Sequence, residues 1–203
     1  MTDAASIARW IQDLAGSDAR LKSESGMRLY LAGVNLCTPL LSRWVSDPEF
    51  RNLTLPGAPA DATHARFGPS AIVVGIAVQP ETFQKIRIAN NSPRLAHVPT
   101  DQDAQEFELH LDASTEFDIL TTSEPGGRGA ISRFLQKFGE GIQQIEIYVR
   151  DVDRATEILR TRFTQEPLYP ATRPGADGTR VNFFLATGPD AKKVLIELVE
   201  AAR

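Results

Sequence analysis

A repeated order of predicted elements after residue 70 restricts most strongly what this chain can fold into. The second copy predicts a strand, a helix, an extended arm and two strands, at 142–149, 151–163, 167–173, 179–186 and 193–199. The first copy predicts the same order at 71–78, 81–89, 94–100, 105–111 and 116–121. Neither βαβββ copy could bury its own sheet. We therefore expect an α+β fold in which the paired modules form one curved, cup-shaped sheet with helices outside.

The residues before the repeat predict a helical extension. Apolar residues recur at helical spacing over 4–14 and again over 27–45, where Pro39 leaves open either two helices or one kinked helix. The stretch "SDP" at 46–48 predicts the start of a short helix. Residues 55–69 are rich in Pro, Ala and Gly, which is typical of a linker.

These patterns divide the chain into two regions. The first is an N-terminal helical extension with its linker, at residues 1–65. The second is a two-module domain at residues 66–203, in which module one occupies 70–122 and module two occupies 139–200. A length of 203 residues, of which 42% are hydrophobic, is enough for a sizeable core.

Charge and hydropathy exclude several classes of partner. A formal net charge of -4 and a pI near 5.4 argue against a nucleic-acid-binding surface, which needs a basic stripe. No apolar run reaches the roughly 18 to 20 residues that span a bilayer, and the first residues lack the pattern of a secretory signal. The single cysteine, Cys37, cannot form an intrachain disulfide. We expect a cytoplasmic protein without nucleic-acid or membrane partners.

Module two begins with two adjacent glutamines, a residue type that is unfavourable in a buried strand. The segment "GEGIQQIEIYVRDVDRATEIL" and the later stretches "RPGADGTRVNFF" and "VLIELVE" resemble the vicinal oxygen chelate superfamily, which includes glyoxalase I, extradiol dioxygenases and methylmalonyl-CoA epimerase. The resemblance is clear over about residues 139 to 200 and weaker over 70–122. Gln143 and Gln144 stand where the epimerase pattern has a pair of histidines.

The resemblance implies a divalent metal site inside the cup, formed by the first and last strand of each module. The implied positions here are Val74, Asp118, Gln144 and Glu197, so Val74 and Gln144 replace the two imidazoles. A Mg, Mn, Co, Ni or Zn ion is therefore a possible cofactor, and we expect none at the family position. Relocation of a ligand from His97 or His110 is left open. His110 alternates with apolar residues, which favours a solvent-facing strand position.

Without a metal, Asp118 and Glu197 become the candidate catalytic carboxylates, because two facing carboxylates can share a proton. Gln143, Gln144, Arg173 and Arg180 are the candidate substrate-binding residues. The resemblance then implies an isomerase or lyase that acts on a small carbonyl or acyl-CoA compound in the cup. The alternatives are a metal-free small-molecule-binding (sequestration) protein of the same fold, and an interaction protein that acts through its helical arm. We expect a homodimer in each case.

Overall fold

The structure is a computed structural model that describes residues 3–54, 72–112, 115–187 and 193–202. Its α-helices are α1 (Ala4–Leu14), α2 (Ala19–Trp44), α3 (Pro48–Leu53), α4 (Pro80–Ala89), α5 (Ala130–Phe138) and α6 (Val152–Phe163). Its strands are β1 (Ile72–Ala77), β2 (Gln105–His110), β3 (Glu116–Thr121), β4 (Gly141–Tyr148), β5 (Arg173–Pro174), β6 (Arg180–Thr187) and β7 (Lys193–Glu200). The chain splits into two compact units, unit 1 (Met1–Gly33 and Val74–Gln143) and unit 2 (Val34–Val73 and Gln144–Arg203).

Unit 1 contains a sheet of the order β2-β3-β1, in which β2 and β3 are antiparallel and β1 and β3 are parallel. One face of this sheet packs against helices, with the rings of Phe83 and Phe107 4.9 Å apart and those of Tyr30 and Phe117 6.0 Å apart. Helix α5 packs on the other face, at the end where β1 and β3 finish. Its contacts there form a buried cluster of Ala77, Leu120, Ile131 and Leu135.

Unit 2 contains a sheet of the order β4-β7-β6-β5, with β4 and β7 parallel and the other pairs antiparallel. Helix α6 contacts β6 and β7. Its buried side chains are Val152, Ala155, Ile158 and Leu159. The Asp151 side chain caps this helix by accepting from the Arg154 N–H at 2.8 Å. Burial of the apolar helix face against the sheet supplies most of the stabilisation, since propensity alone rarely holds a helix of this length.

The N-terminal helices pack within the two units. In unit 1, Nζ of Lys22 donates to the Ala89 carbonyl at 2.7 Å, and Ser25 Oγ donates to Asp13 Oδ2 at 2.6 Å. A Cβ at Gly26 would collide with Cδ1 of Leu111, so this glycine lets the backbone of α2 approach closely. The extension is therefore held by specific contacts as well as by its apolar residues.

In unit 2, ion pairs join the end of the helical extension to helix α6. Arg162 Nη1 donates to Asp47 Oδ2 at 2.7 Å, and Arg154 Nε donates to Glu49 Oε1 at 2.6 Å. The Arg162 guanidinium lowers the pKa of Asp47, and the Arg154 guanidinium is the main cause of the lowered pKa of Glu49. The ring of Trp44 packs edge-on to that of Phe50 at 6.0 Å.

The α+β class, the repeated module order and the N-terminal helical extension are confirmed. Asp47 caps α3, as the "SDP" stretch predicts, and 81–89 lies within a helix. Pro39 lies inside one continuous helix, which is one of the two arrangements left open. That helix begins at Ala19, before the predicted start at 27.

The two predicted extended arms contain little strand. Residues 94–100 form no strand, and their Ala96 N–H makes one hydrogen bond, of 2.9 Å, to the Glu106 carbonyl. The arm at 167–173 forms a strand only at its end, where β5 begins. Prolines in both arms lack the N–H that a ladder requires. The predicted linker and the boundary between residues 65 and 66 lie outside the described residues and stay predictions. No helix of the described residues is long and apolar enough to cross a membrane.

Candidate functional site

Strand β4 places Gln144 and Glu146 on one face of the unit 2 sheet, because alternate residues of a strand point to the same side. The parallel register with β7 pairs Gln144 with Leu195 and Glu146 with Glu197. Paired residues on neighbouring strands share a face, so Glu197 lies on the same face as Gln144 and Glu146. These three side chains form the polar triad of unit 2.

The polar triad is buried and hydrogen-bonded internally. Gln144 Nε2 donates to Glu197 Oε2 at 2.6 Å and to Glu146 Oε1 at 3.1 Å. The exposed fractions of Gln144, Glu146 and Glu197 are 6%, 7% and 8%. Burying a carboxylate costs several kcal/mol unless donors replace its water, and here one amide supplies a donor to each carboxylate. The residues form a preorganised pair of carboxyl groups on one amide.

An aromatic row leads from the polar triad to a cation. Phe183 on β6 pairs directly with Glu197, and the ring of Tyr169 packs edge-on to the Phe183 ring at 6.0 Å. The Arg173 guanidinium lies over the Tyr169 ring at 4.6 Å, a cation–π distance. Arg173 pairs with Val181, which places it on the same sheet face as Phe183. The face therefore carries carboxylates at its centre and a positive charge at one end.

Two predicted site residues, Gln143 and Arg180, do not share the sheet face of the polar triad. Gln143 faces the side of β4 opposite to Gln144, and its buried Oε1 accepts no hydrogen bond from the described residues. Arg180 lies on the face of β6 opposite to Phe183. Its guanidinium donates to Asp153 Oδ2 at 2.5 Å and to Glu200 Oε2 at 3.2 Å, and it lowers the pKa of Asp153. Arg180 therefore anchors helix α6 and is not part of the face that carries Glu197.

Unit 1 contains the other two positions implied by the resemblance. Asp118 is buried on β3 with an exposed fraction of 7%, and it pairs with Glu108 and with Gly75. Val74 pairs with Phe117, so it faces the opposite side of the sheet from Asp118. Gln144 shares the face of Glu197, whereas Val74 does not share that of Asp118, so this register does not fit both the equivalence of Val74 with Gln144 and that of Asp118 with Glu197. The pairing of Asp118 with Glu197 stays a prediction.

The family metal does not fit the donor set of unit 2. Gln144 turns an N–H donor toward both carboxylates, where a cation would require the amide oxygen. Neither Val74, nor the Gly75 that pairs with Asp118, has a donor atom in its side chain.

The sequence interpretation missed Glu146, the third member of the polar triad. The signal was present, because Glu146 follows Gln144 by two residues on a strand and must share its face. The epimerase pattern that the segment resembles has no carboxylate at this position.

No known family model and no curated protein matches this sequence. Solved structures do match. A methylmalonyl-CoA epimerase from Mycobacterium tuberculosis is 29% identical, with a TM-score of 0.52 over 64% of this chain and 86% of that chain. A methylmalonyl-CoA epimerase in complex with methylmalonyl-CoA and NH4+ is 27% identical, with a TM-score of 0.50 over 64% and 92%. A variant of the Streptomyces coelicolor epimerase in complex with 2-nitronate-propionyl-CoA is 26% identical, with a TM-score of 0.51 over 64% and 95%.

Proposed function

The chain has the fold of the vicinal oxygen chelate superfamily, and from that premise we propose that it is an isomerase or lyase without a metal at the family position. It moves a proton at the carbon next to the carbonyl of a small carbonyl compound or an acyl-CoA. One observation carries this proposal: Gln144 Nε2 lies within hydrogen-bond distance of two buried carboxyl groups, those of Glu146 and Glu197. The likeness to epimerase structures with bound acyl-CoA compounds supports the substrate class.

The two carboxyl groups take different roles in the proposed reaction. Two nearby carboxyl groups repel when both are ionised, and in the proposed reaction one of them holds a proton. Glu197 accepts the shorter bond, of 2.6 Å against 3.1 Å for Glu146, as an ionised acceptor does. Glu197 is therefore assigned as the base and Glu146 as the group that carries the proton.

The proposed reaction moves one proton and one electron pair between the substrate and these two residues. Glu197 takes the proton from the carbon, and the electron pair of the broken C–H bond moves into the carbonyl to give an enolate. The proton on Glu146 is donated in a hydrogen bond to the enolate oxygen, which replaces the stabilisation that a metal would supply. The proton on Glu197 exchanges with solvent, and its return to the carbon, with the electron pair of the enolate, restores the C–H bond and completes the exchange. Asp118 remains a candidate for a second acid–base group.

Arg173 is assigned as the anchor for an anionic group of the substrate. It lies on the sheet face of Glu197, beyond the rings of Phe183 and Tyr169. A carboxylate or phosphate at Arg173 would place the rest of the substrate along the aromatic row and toward the polar triad. Arg180 is not assigned this role because it lies on the face of β6 opposite to Phe183.

The test is exchange of the α-proton in D2O. Methylmalonyl-CoA and a panel of branched acyl-CoAs and 2-oxo acids are incubated with the full chain in EDTA, and the mass gain is followed. Glu197→Gln should lower the exchange rate by about 10²- to 10⁴-fold, the range for loss of a general base. The matched control is Glu157→Gln, an exposed residue of α6 that should leave the rate unchanged. Wild-type-like exchange by Glu197→Gln would remove the assignment.

The second candidate is a metal-free small-molecule-binding protein. It is favoured by the two hydrogen bonds that join the polar triad, since buried polar groups that are bonded to one another can be purely structural. A thermal-shift screen of acyl-CoAs, 2-oxo acids and aromatic compounds separates the two functions. A ligand that stabilises wild type and Glu197→Gln equally, with no exchange by either, identifies the binding protein.

A further inference from the structure

The β2–β3 hairpin of unit 1 gathers an imidazole and carboxylates on one face. His110 pairs directly with Glu116, and Glu108 precedes His110 by two residues on the same strand. Asp118 pairs with Glu108 and adds another carboxylate to this face. The arrangement follows from strand register and does not depend on flexible loops.

The distances among these side chains differ from those of hydrogen bonds. His110 Nε2 lies 3.5 Å from Glu108 Oε2 and 3.8 Å from Glu116 Oε1, beyond the usual 2.7 to 3.2 Å of an N–H···O bond. One ligand atom of each of the three side chains lies within 4.8 Å of the others. A cation held at about 2.1 Å from each donor separates neighbouring donors by roughly 3.0 to 3.4 Å. Small rotations about the side-chain bonds would reach that spacing.

The side chains of the three residues differ in burial and therefore in how far they can move. Glu116 has an exposed fraction of 8% and is fixed by the sheet, whereas 49% of the His110 side chain is exposed. The site would therefore have one rigid ligand, one adjustable ligand and an open side on which water completes the coordination. A single imidazole and two carboxylates carry a charge of about −2, which a divalent ion neutralises.

We propose that Glu108, His110 and Glu116 bind a divalent transition-metal ion, Zn2+ or Mn2+ in preference to Mg2+. Imidazole nitrogen selects for transition metals over Mg2+, and carboxylates suit both Zn2+ and Mn2+. None of the three ligands is a position that the family resemblance assigns to a metal. A metal ion at this site would cross-link β2 to β3. The site is independent of the proposed function.

The test measures metal binding directly on the untagged full chain after removal of metals. Calorimetric titration with Zn2+, and separately with Mn2+, should give one equivalent per chain. Saturation at about 100 times Kd should raise Tm by roughly 5 to 10 °C. At the same metal concentration, His110→Ala should weaken binding at least about tenfold and reduce the Tm shift to about half or less. Glu116→Gln should weaken binding in the same way.

The matched control is His97→Ala, an exposed histidine of unit 1 outside the three ligands. It should bind as wild type does, and so should Glu197→Gln, which separates this site from the proposed catalytic one. Circular dichroism in EDTA checks that His110→Ala is folded, as expected for a half-exposed side chain. Wild-type affinity in His110→Ala, or no heat and no Tm shift with either ion, would overturn the proposal.

Discussion

Replacing Gln144 by leucine should destabilise the protein strongly, although leucine has a similar size and suits a buried strand. Gln144 donates to the protonated Glu146, a bond that contributes about 0.5 to 1.5 kcal/mol, and to the charged Glu197, a bond that contributes about 1.5 to 3 kcal/mol. The sum is about 2 to 4.5 kcal/mol. Both carboxyl groups have further interactions, and leucine gains from burial, so we expect a loss in the lower half of this range, about 3 kcal/mol.

Urea unfolding followed by circular dichroism and by the fluorescence of the buried Trp44 measures this loss. With a slope of about 2 kcal/mol per M, a loss of about 3 kcal/mol lowers the midpoint by about 1.5 M. The matched control is Gln165→Leu, whose exposed amide makes only a long bond of 3.5 Å to the Leu185 carbonyl. This control should shift the midpoint by less than about 0.3 M, since surface substitutions lie within roughly 0.5 kcal/mol.

The same substitution in a Glu197→Gln background isolates the interaction. If Gln144 acts through the Glu197 carboxylate, Gln144→Leu should cost at least about 1 kcal/mol less once that carboxylate is neutral. An equal cost in both backgrounds, or a midpoint for Gln144→Leu that matches the control, would refute the claim that the amide stabilises two buried carboxylates.

Two further predictions concern groups outside the site. Burial raises the pKa of the Cys37 thiol to about 11, so the thiolate is scarce at neutral pH and a disulfide reagent should modify Cys37 much more slowly in the native protein than in urea; equal rates would mean that the thiol is accessible. Arg162 lowers the folded-state pKa of Asp47, so its stabilisation is present above the unfolded pKa, near 4, and is lost as the pH falls. The Tm difference between wild type and Arg162→Met should therefore be largest at pH 6 and should shrink toward pH 3, and a difference that grows on acidification would contradict this sign.

In the N-terminal extension, helix α2 begins earlier than the apolar spacing of the sequence predicts. Apolar spacing predicts the helix from residue 27, whereas the structure starts it at Ala19. Asp18 Oδ1 accepts from the Arg20 and Leu21 N–H groups at 3.0 Å, which caps this helix. Lys22 then bonds to the Ala89 carbonyl. Apolar spacing does not reveal this first part of α2, because its residues are mostly polar. The Asp18 cap is a local signal, whereas the partner of Lys22 is distant in the sequence.

The predicted site shows the same division. Alternation along β4 places Gln144 and Glu146 on one face, and the sequence alone predicts this because the two residues are two positions apart on a strand. The sheet face of Val74 could not be read from the sequence. A strand that is buried on both faces gives no alternation from which its facing can be read, and only the pairing with Phe117 fixes it.

Sequence alone determined the kind and order of the elements, the helical extension and the positions of the carboxylates, because periods of 2 and 3.6 residues and capping residues are local properties. Tertiary structure alone decided which residues meet. It joined Gln144 to Glu197 through the register of β4 with β7, and His110 to Glu116 through that of β2 with β3. Register depends on the burial of whole strands against their neighbours, so a shift of one residue moves every side chain to the other face.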